Sequence, residues 1–136
     1  MDKIDKTDLY IIEELRKDSR VAFLQIAKML SVSEGTIRNR VKNLITKGYI
    51  KNFTIELAND NVAIVGIETE TKTETKRIRD DIKRLGVASI YEVTGRFDII
   101  TIVPSADMKI VNDMLEAIRS IKGVVLTETF MVLHKE

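Results

Sequence analysis

The stretch from Ser33 to Gly48, SEGTIRNRVKNLITKG, constrains the fold of this chain more than any other part of it. Its opening serine can accept a hydrogen bond from a free backbone N–H of a first helical turn. Its closing glycine suits the left-handed residue that follows a helix. Between them, four apolar residues fall at positions i, i+4, i+7 and i+8 and form one stripe: Ile37, Val41, Leu44 and Ile45. The pattern predicts an amphipathic helix with one buried face.

The face opposite this stripe is polar and basic. It carries Gly35, Asn39, Lys42 and Thr46, with Arg38 and Arg40 on its two flanks. Five Lys or Arg stand against one acid between residues 34 and 51. Basic side chains bind DNA phosphates, and amide and hydroxyl groups read base edges. Taken alone, the stretch fits a DNA-reading helix and an ordinary solvated basic helix equally well.

Two shorter helical patterns precede this stretch. The first follows Asp5, a suitable N-cap, and has Asp8 near the positive end of the helix dipole. The second covers residues 22–30 and is followed by a tight turn at residues 31–32. Helix, turn and basic helix is the order of the helix-turn-helix motif, whose last helix enters the major groove. Residues 49–53 indicate a strand, which would add a small wing.

Charge is distributed unevenly along the 136 residues. The formal net charge is +1, yet residues 1–50 hold ten Lys/Arg and seven Asp/Glu, while the remaining 86 residues hold twelve and fourteen. This difference places any contact with nucleic acid in the N-terminal part. The absence of Cys excludes disulfides and thiolate metal sites. Without an 18-residue apolar run or a signal-like N-terminus, we expect a cytoplasmic protein with no membrane partner.

Residues 61–136 alternate between the strand period and the helix period. We predict strands at residues 62–69, 87–94, 97–103 and 124–133, a helix at residues 73–85, and a second helix opened by Pro104-Ser105 and ended by Gly123. The two middle strands surround a Gly95-Arg96 turn and should form a hairpin. The order β-α-β-β-α-β is that of the ferredoxin-like fold, an antiparallel sheet with helices on one face. The other face would be apolar, so we expect at least a dimer.

These patterns predict an α+β chain with two domains. Residues 1–50 would form a winged helix-turn-helix DNA-binding domain, and residues 51–60 a linker strand. Residues 61–136 would form a ferredoxin-like βαββαβ domain.

The chain resembles the Lrp/AsnC regulators, also called feast/famine regulators, over nearly its whole length. In the first fifty residues the matches are Ile4-Asp5, Asp8, Ile11-Ile12, Leu15, Arg20, Ile26-Ala27, Ser33, Thr36-Ile37, Arg40-Val41, Leu44 and Lys47-Gly48-Tyr49-Ile50. Later matches, to the turn and closing strand of the family's RAM domain, are Gly95-Arg96-Phe97-Asp98, Gly123-Val124, Thr127-Glu128-Thr129 and Val132-Leu133. Two residues depart from the family: Ala22, where a capping Ser or Thr is common, and Ser31, where Gly is common.

The resemblance implies a function for both domains. Members of this family are transcription regulators that bind double-stranded DNA. Their C-terminal domains take small effectors, commonly amino acids, in clefts between subunits, and their dimers can assemble into octamers, which are tetramers of dimers. By resemblance we expect DNA, an amino-acid effector and further copies of the chain as partners, and no cofactor.

DNA-binding residues are expected at the start and along the outer face of the basic helix. We expect Arg38, Asn39 and Lys42 to enter the groove. Arg40 lies nearer the buried stripe and would either bind phosphate or fix the helix. The full expected set is Ser33, Glu34, Gly35, Thr36, Arg38, Asn39, Arg40 and Lys42.

Effector-binding residues are expected in the hairpin and the closing strand: Gly95, Arg96, Phe97, Asp98, Thr127, Glu128 and Thr129. Gly95 can free backbone N–H groups for a carboxylate, and Asp98 can accept a hydrogen bond from an ammonium group. An acidic Glu128 favours a basic or polar effector. A purely structural reading is also open, in which Gly95 serves the hairpin and the threonines only form strand.

Candidate catalytic groups are few. The one histidine, His134, lies near the C-terminal end, where a solvated tail residue is the better interpretation. The sequence holds no phosphate-binding glycine loop and no metal-spaced cluster, so we expect no catalytic or metal site. Sirohaem decarboxylases resemble the family in both halves, but the acidic C-terminal half disfavours that alternative. An architectural DNA-binding protein without an effector stays open.

Overall fold

The computed structural model describes residues 3–58, 61–105 and 107–136. The chain divides into two compact units, residues 1–56 and residues 57–136, and each unit has its own hydrophobic core. The first unit holds helices α1 (Lys6–Lys17), α2 (Phe23–Leu30) and α3 (Glu34–Thr46). The second holds β1 (Asn61–Thr69), α4 (Thr75–Arg84), β2 (Ser89–Glu92), β3 (Ile99–Ser105), α5 (Met108–Arg119) and β4 (Val124–Met131). No described helix is long and apolar enough to cross a bilayer.

Local hydrogen bonds set the ends of the helices in the first unit. Asp5 and Asp8 form a capping box at the start of α1, in which each carboxylate accepts a hydrogen bond from the backbone N–H of the other residue. Ala22 precedes α2 and provides no side-chain cap, as its departure from the family pattern implies. Ser31, between α2 and α3, has a φ of +56°, a left-handed value that favours glycine. These local features agree with the sequence analysis.

The three helices enclose one apolar core. The residues buried in it are Ile11, Leu15, Ile26, Ala27, Ile37, Val41 and Leu44. α2 packs against α3, and the small side chain of Ala27 is 1% exposed in this unit. The core therefore supports α3 along the apolar stripe that the sequence predicted.

The prediction that Ile45 belongs to the buried stripe is wrong. Ile45 is 46% exposed, whereas its neighbour Leu44 is 2% exposed. At 100° per residue, Ile45 lies about 80° around the helix from Ile37, at the edge of the stripe. The core of three helices covers the centre of the stripe and not this edge.

The strand predicted over residues 49–53 and through the linker 51–60 is also wrong. Residues 50–57 have no regular secondary structure. The backbone groups of a strand need a second strand as hydrogen-bonding partner, and the sheet of the described residues contains β1 to β4 alone. The last two residues of the predicted linker, Asn59 and Asp60, lie outside the described residues.

The second unit has the predicted ferredoxin-like order. Its sheet is antiparallel with strand order β2-β3-β1-β4. β1 is therefore an interior strand and pairs with both β3 and β4. One face of the sheet packs on α4 and α5. That core contains Ala63, Val65, Ile67, Ile78, Ile82, Ile99, Val103, Val111, Leu115 and Ile118. The buried hydroxyl of Thr101 on the same face donates a 2.7 Å hydrogen bond to the backbone oxygen of Ser89.

The other face of the sheet carries apolar side chains that no described helix covers. Because side chains alternate along a strand, the strand pairing assigns several apolar residues to this open face, among them Ile64, Tyr91, Ile100, Ile102, Leu126 and Phe130. Tyr91 is 52%, Phe130 49% and Leu126 43% exposed. The single chain thus leaves a broad apolar surface in contact with water.

The helix predicted to open at Pro104-Ser105 begins later. Both residues belong to β3, where Pro104 pairs with Val62. Strand β2 ends at the pair of Ser89 and Ile102, so Pro104 has a neighbouring strand on one side only, where a missing N–H is tolerated. The N-cap of α5 is Asp107, whose carboxylate accepts a hydrogen bond from the backbone N–H of residue 109 over 2.8 Å. α5 then ends at Arg119, four residues before Gly123.

Gly123 is required by conformation and by packing. Its φ is +101°, and a Cβ atom built on it would lie 2.8 Å from Ile78 Cδ1 and 2.9 Å from Thr73 Cγ2. Gly86 offers a comparison within the same unit, since its φ is +82° but no heavy atom lies within 4 Å of a Cβ built on it. Substitution of Gly86 should therefore report the cost of the left-handed conformation alone, and substitution of Gly123 that cost plus the cost of steric crowding.

We expect Gly86→Ala to lower the free energy of unfolding by about 1–2 kcal/mol, the cost of a left-handed conformation. Gly123→Ala should lower the free energy of unfolding by about 1–3 kcal/mol more than Gly86→Ala does, because overpacking is added to the conformational cost. Urea denaturation followed by circular dichroism measures both. Equal losses in the two variants would contradict the packing role of Gly123.

Candidate functional site

The first turn of α3 presents its backbone to solvent. Ser33 caps the helix by accepting a hydrogen bond from the backbone N–H of Thr36 over 3.1 Å, and the two hydroxyl oxygens lie 2.8 Å apart. The nearest atom to a Cβ built on Gly35 is Ser33 Oγ, at 3.9 Å. A helix N-terminus carries partial positive charge and N–H groups that face an approaching anion. This turn can therefore meet a phosphate.

The outer face of α3 carries the exposed side chains that we predicted to enter the major groove of DNA. Arg38, Asn39 and Lys42 are all exposed. Arg38 makes an ion pair with Glu34, one helical turn earlier, and their side chains are 62% and 41% exposed. An exposed i, i+4 pair of this kind is weak. Arg38 can therefore exchange Glu34 for a base edge at little cost.

Arg40 is placed differently from these three residues. Its Nη1 donates hydrogen bonds to Asp5 Oδ2 over 2.8 Å and to Asp8 Oδ1 over 2.9 Å, so it connects α3 to the start of α1. The backbone N–H of Asp8, and next the Arg40 guanidinium, hold the pKa of the Asp5 carboxyl below its ordinary value. Hydrogen bonds from Arg40 to the two carboxylates raise its own pKa. These contacts support the alternative in which Arg40 fixes the helix.

In the second unit, Asp98 fixes the end of the hairpin. Its Oδ2 accepts hydrogen bonds from the backbone N–H of Thr69 over 2.7 Å and from the Thr69 hydroxyl over 3.0 Å. Its own backbone N–H donates to the Ile67 oxygen over 3.0 Å. Gly95, in the turn before it, has a φ of +128°, which favours glycine. For these two residues the contacts support the structural reading.

Phe97 lies on the open face of the sheet, above Gly66. A Cβ atom built on Gly66 would fall 2.6 Å from two carbons of the Phe97 ring, so the absence of a side chain there makes room for the ring. The guanidinium of Arg96 lies 5.3 Å from the centroid of the same ring, within cation–π distance. Gly66 therefore seats Phe97, and Phe97 supports Arg96.

Glu128 completes this group of side chains. It is paired with Gly66 across β1 and β4 and so lies on the same open face. Arg96 Nη2 is 2.8 Å from Glu128 Oε2, but the two are not aligned for a hydrogen bond. That oxygen is buried and accepts no hydrogen bond from the described residues. The oxygen thus has a charged neighbour but no aligned donor, so it can accept a hydrogen bond from an N–H-bearing ligand.

Apart from Gly95 and Asp98, the predicted effector residues divide into two groups. The structure brings together Arg96, Phe97 and Glu128 on the open face. Thr127 and Thr129 lie on the helix-covered face, since they pair with the buried residues Ile67 and Val65. Thr127 Oγ1 accepts a 3.2 Å hydrogen bond from Arg119 Nε, and Thr129 Oγ1 is buried without a partner among the described residues. Within one chain, the two threonines do not meet Arg96.

Sequence reasoning missed two features of these sites. The first is Gly66, although a glycine inside a strand of β-branched residues is a recognisable sign of close approach. The second is the role of Asp5 and Asp8 as partners of Arg40. No local pattern signals that contact, because the residues lie 35 and 32 positions apart.

Two family models match the sequence. Residues 4–51 match the model described as winged helix-turn-helix DNA-binding. Residues 62–136 match the model described as Lrp/AsnC ligand binding domain.

Relatives and solved structures are similar to nearly the whole chain. The HTH-type transcriptional regulator LysM of Sulfurisphaera tokodaii is 40% identical over 137 residues, which cover 98% of each chain. The LysM regulator of Saccharolobus solfataricus is 42% identical over 134 residues, covering 96% of this chain and 94% of that protein. The solved structure of E. coli AsnC matches with a TM-score of 0.73 at 26% identity, over 98% of this chain and 94% of AsnC.

Proposed function

The chain belongs to the Lrp/AsnC family of DNA-binding transcription regulators, and from this premise we propose that two copies bind one DNA site under the control of a small molecule. Residues 1–50 would read DNA, residues 61–136 would bind the effector and join the copies, and residues 51–60 would link them. The observation that carries the proposal is the exposed basic face of α3 on a helix-turn-helix core.

DNA reading is assigned to the outer face of α3. Arg38 can form two hydrogen bonds to a guanine, Asn39 can bind an adenine edge, and Lys42 can reach a guanine or a phosphate. The first turn of α3, with Ser33, Glu34, Gly35 and Thr36, would approach the phosphate backbone of the DNA. Two such helices related by a twofold axis would read a pseudo-palindromic site with half-sites separated by about one helical turn or a multiple.

Dimer formation is assigned to the open face of the sheet. Exposed apolar surfaces of this extent on a folded domain mark sites of association. A second copy offers the same face and can cover it with an isologous interface. Burial of Tyr91, Leu126 and Phe130 would supply the driving force. We propose a homodimer, from which an octamer can be built as a tetramer of dimers.

The effector is assigned to the group of Arg96, Phe97 and Glu128. The position on the open face would place the group next to a second copy, so that the ligand is enclosed between subunits. Arg96 can bind a carboxylate, Glu128 Oε2 can accept a hydrogen bond from an ammonium group, and Phe97 offers an apolar wall. These complementary charges suit an amino acid, and those with a cationic side chain are the first to test.

We expect Arg38→Ala to weaken binding to the preferred DNA by about 1–3 kcal/mol and to relax sequence preference at one base pair, because a base-reading Arg contributes that much discrimination. The preferred duplex is first selected by the purified chain from a random DNA pool. Fluorescence anisotropy then compares it with single-base variants. Arg16→Ala, an exposed arginine of α1, is the matched control for loss of one charge. Equal loss on all duplexes would make Arg38 a phosphate contact.

We expect Phe130→Asp to convert the dimer into a monomer at micromolar concentration, since it buries a charge in the proposed interface. Analytical ultracentrifugation of the full chain measures the change. Leu133→Asp introduces the same charge at a residue that is 97% exposed beyond the end of β4 and should leave the dimer intact. A monomeric wild type, or a dimeric Phe130→Asp variant, would contradict the assignment.

We expect one of the twenty amino acids, added singly, to change the affinity of the chain for its selected duplex in fluorescence anisotropy. Glu128→Gln should bind the duplex like the wild type and lose that response, because the buried acceptor has lost its charge. Glu116→Gln, an exposed carboxylate of α5, serves as the control. Tight DNA binding that no amino acid alters would favour the architectural alternative.

A further inference from the structure

We propose that Arg40 is a positioning residue, which fixes the orientation of α3 by joining it to the first turn of α1 and does not itself contact DNA. The inference rests on the proposed function, since it takes α3 as the helix that reads DNA. It assigns Arg40 one of the two roles that its place beside the apolar stripe allows.

The four carboxylate oxygens of Asp5 and Asp8 are divided between two tasks. Asp5 Oδ1 accepts a hydrogen bond from the Asp8 N–H over 2.8 Å, and Asp8 Oδ2 accepts one from the Asp5 N–H over 3.2 Å. The remaining oxygens, Asp5 Oδ2 and Asp8 Oδ1, both accept from Arg40 Nη1. The capping box thus orients both carboxylates without help from Arg40. It forms a preorganised acceptor that determines where the guanidinium can lie.

Electrostatics oppose a phosphate contact by Arg40. Two carboxylates already face the one guanidinium, so the charge of Arg40 is compensated and attracts a phosphate less than an unpaired arginine would. To reach the phosphate, Arg40 would have to give up two charge-assisted hydrogen bonds. Its side chain is 33% exposed, against 62% for Arg38. Lys3 and Lys47 line the same surface pocket as Arg40, so a phosphate arriving here could be bound by these lysines without Arg40.

The contact adds a directional constraint to the orientation that burial of the apolar stripe gives α3. Burial of the apolar stripe fixes which face of α3 points inward, but each apolar contact is itself non-directional and leaves small rotations of the helix less well defined. Hydrogen bonds depend on angle as well as distance. Arg40 lies between Arg38 and Lys42 along α3, so a rotation of the helix would displace both side chains together. Because both ion pairs are partly accessible to solvent and lie at the edge of the unit, outside its apolar core, we expect loss of Arg40 to affect DNA affinity more than melting temperature.

The test compares Arg40→Met and Asp5→Asn in the full chain. Asn retains the capping function of residue 5 but removes one of the two carboxylate charges that hold Arg40. The two variants change the net charge in opposite directions, so a general electrostatic effect on DNA binding would also have opposite signs. Glu13→Gln, on a 61% exposed residue of α1, raises the net charge as Asp5→Asn does and is the control. Anisotropy is recorded on the selected duplex and on a random duplex over a series of salt concentrations.

We expect both variants to bind the selected duplex about tenfold more weakly, comparable to the loss of one base contact. Binding to the random duplex, the slope of log affinity against log salt and the melting temperature should stay close to those of the control. A role confined to fold stability would not change the affinity of the folded protein at low temperature.

Two outcomes would overturn the proposal. A phosphate contact predicts that Arg40→Met lowers the salt slope by about 0.9 and that Asp5→Asn binds more tightly, because Arg40 is released. Wild-type affinity in both variants would leave the ion pairs with a purely structural role. A wild type without preference for any selected duplex would instead refute the proposed function, so the two failures are distinguishable.

Discussion

The alternation of side chains along β1 is the constraint on which the second unit depends. β1 pairs with β3 on one side and β4 on the other. Ala63, Val65 and Ile67 face the helices, while Ile64 and Gly66 face the open side. One strand therefore supplies the centre of the core and the seat of the candidate effector group. Because a slip by one residue would exchange the two faces, the core and the proposed effector site require the same register.

Local interactions explain what the sequence could predict. The caps at Asp5 and Ser33 and the left-handed Gly48 satisfy groups a few residues away, so they are visible in short motifs. The periods of apolar residues indicated the five helices and the four strands of the described sheet, and hence the ferredoxin-like order. The family was indicated separately, by the residues that resemble it in both domains, and the family models confirm it. The prediction that the chain is not an enzyme is also confirmed, by the family and its relatives.

The errors and omissions come from contacts between distant residues. Arg40 could be placed beside the stripe, but not on Asp5 and Asp8, since spacing carries no information about another helix. Thr127 and Glu128 are adjacent in a predicted strand, yet pairing with β1 sends them to opposite faces. The prediction of a strand in the linker was wrong for a related reason, because a strand forms only where a second strand is available to pair with it.

The central position of β1 also sets the order in which parts of the protein can be completed. The helices of the first unit contact one another within about forty residues, so this unit can fold soon after it leaves the ribosome. β1 keeps one edge unpaired until β4 has been made, since Ala63 pairs with Met131. Glu128 and Phe130 join the open face at that last stage. A nascent chain thus completes the helix to which we assign DNA reading well before it completes the surface to which we assign dimer formation.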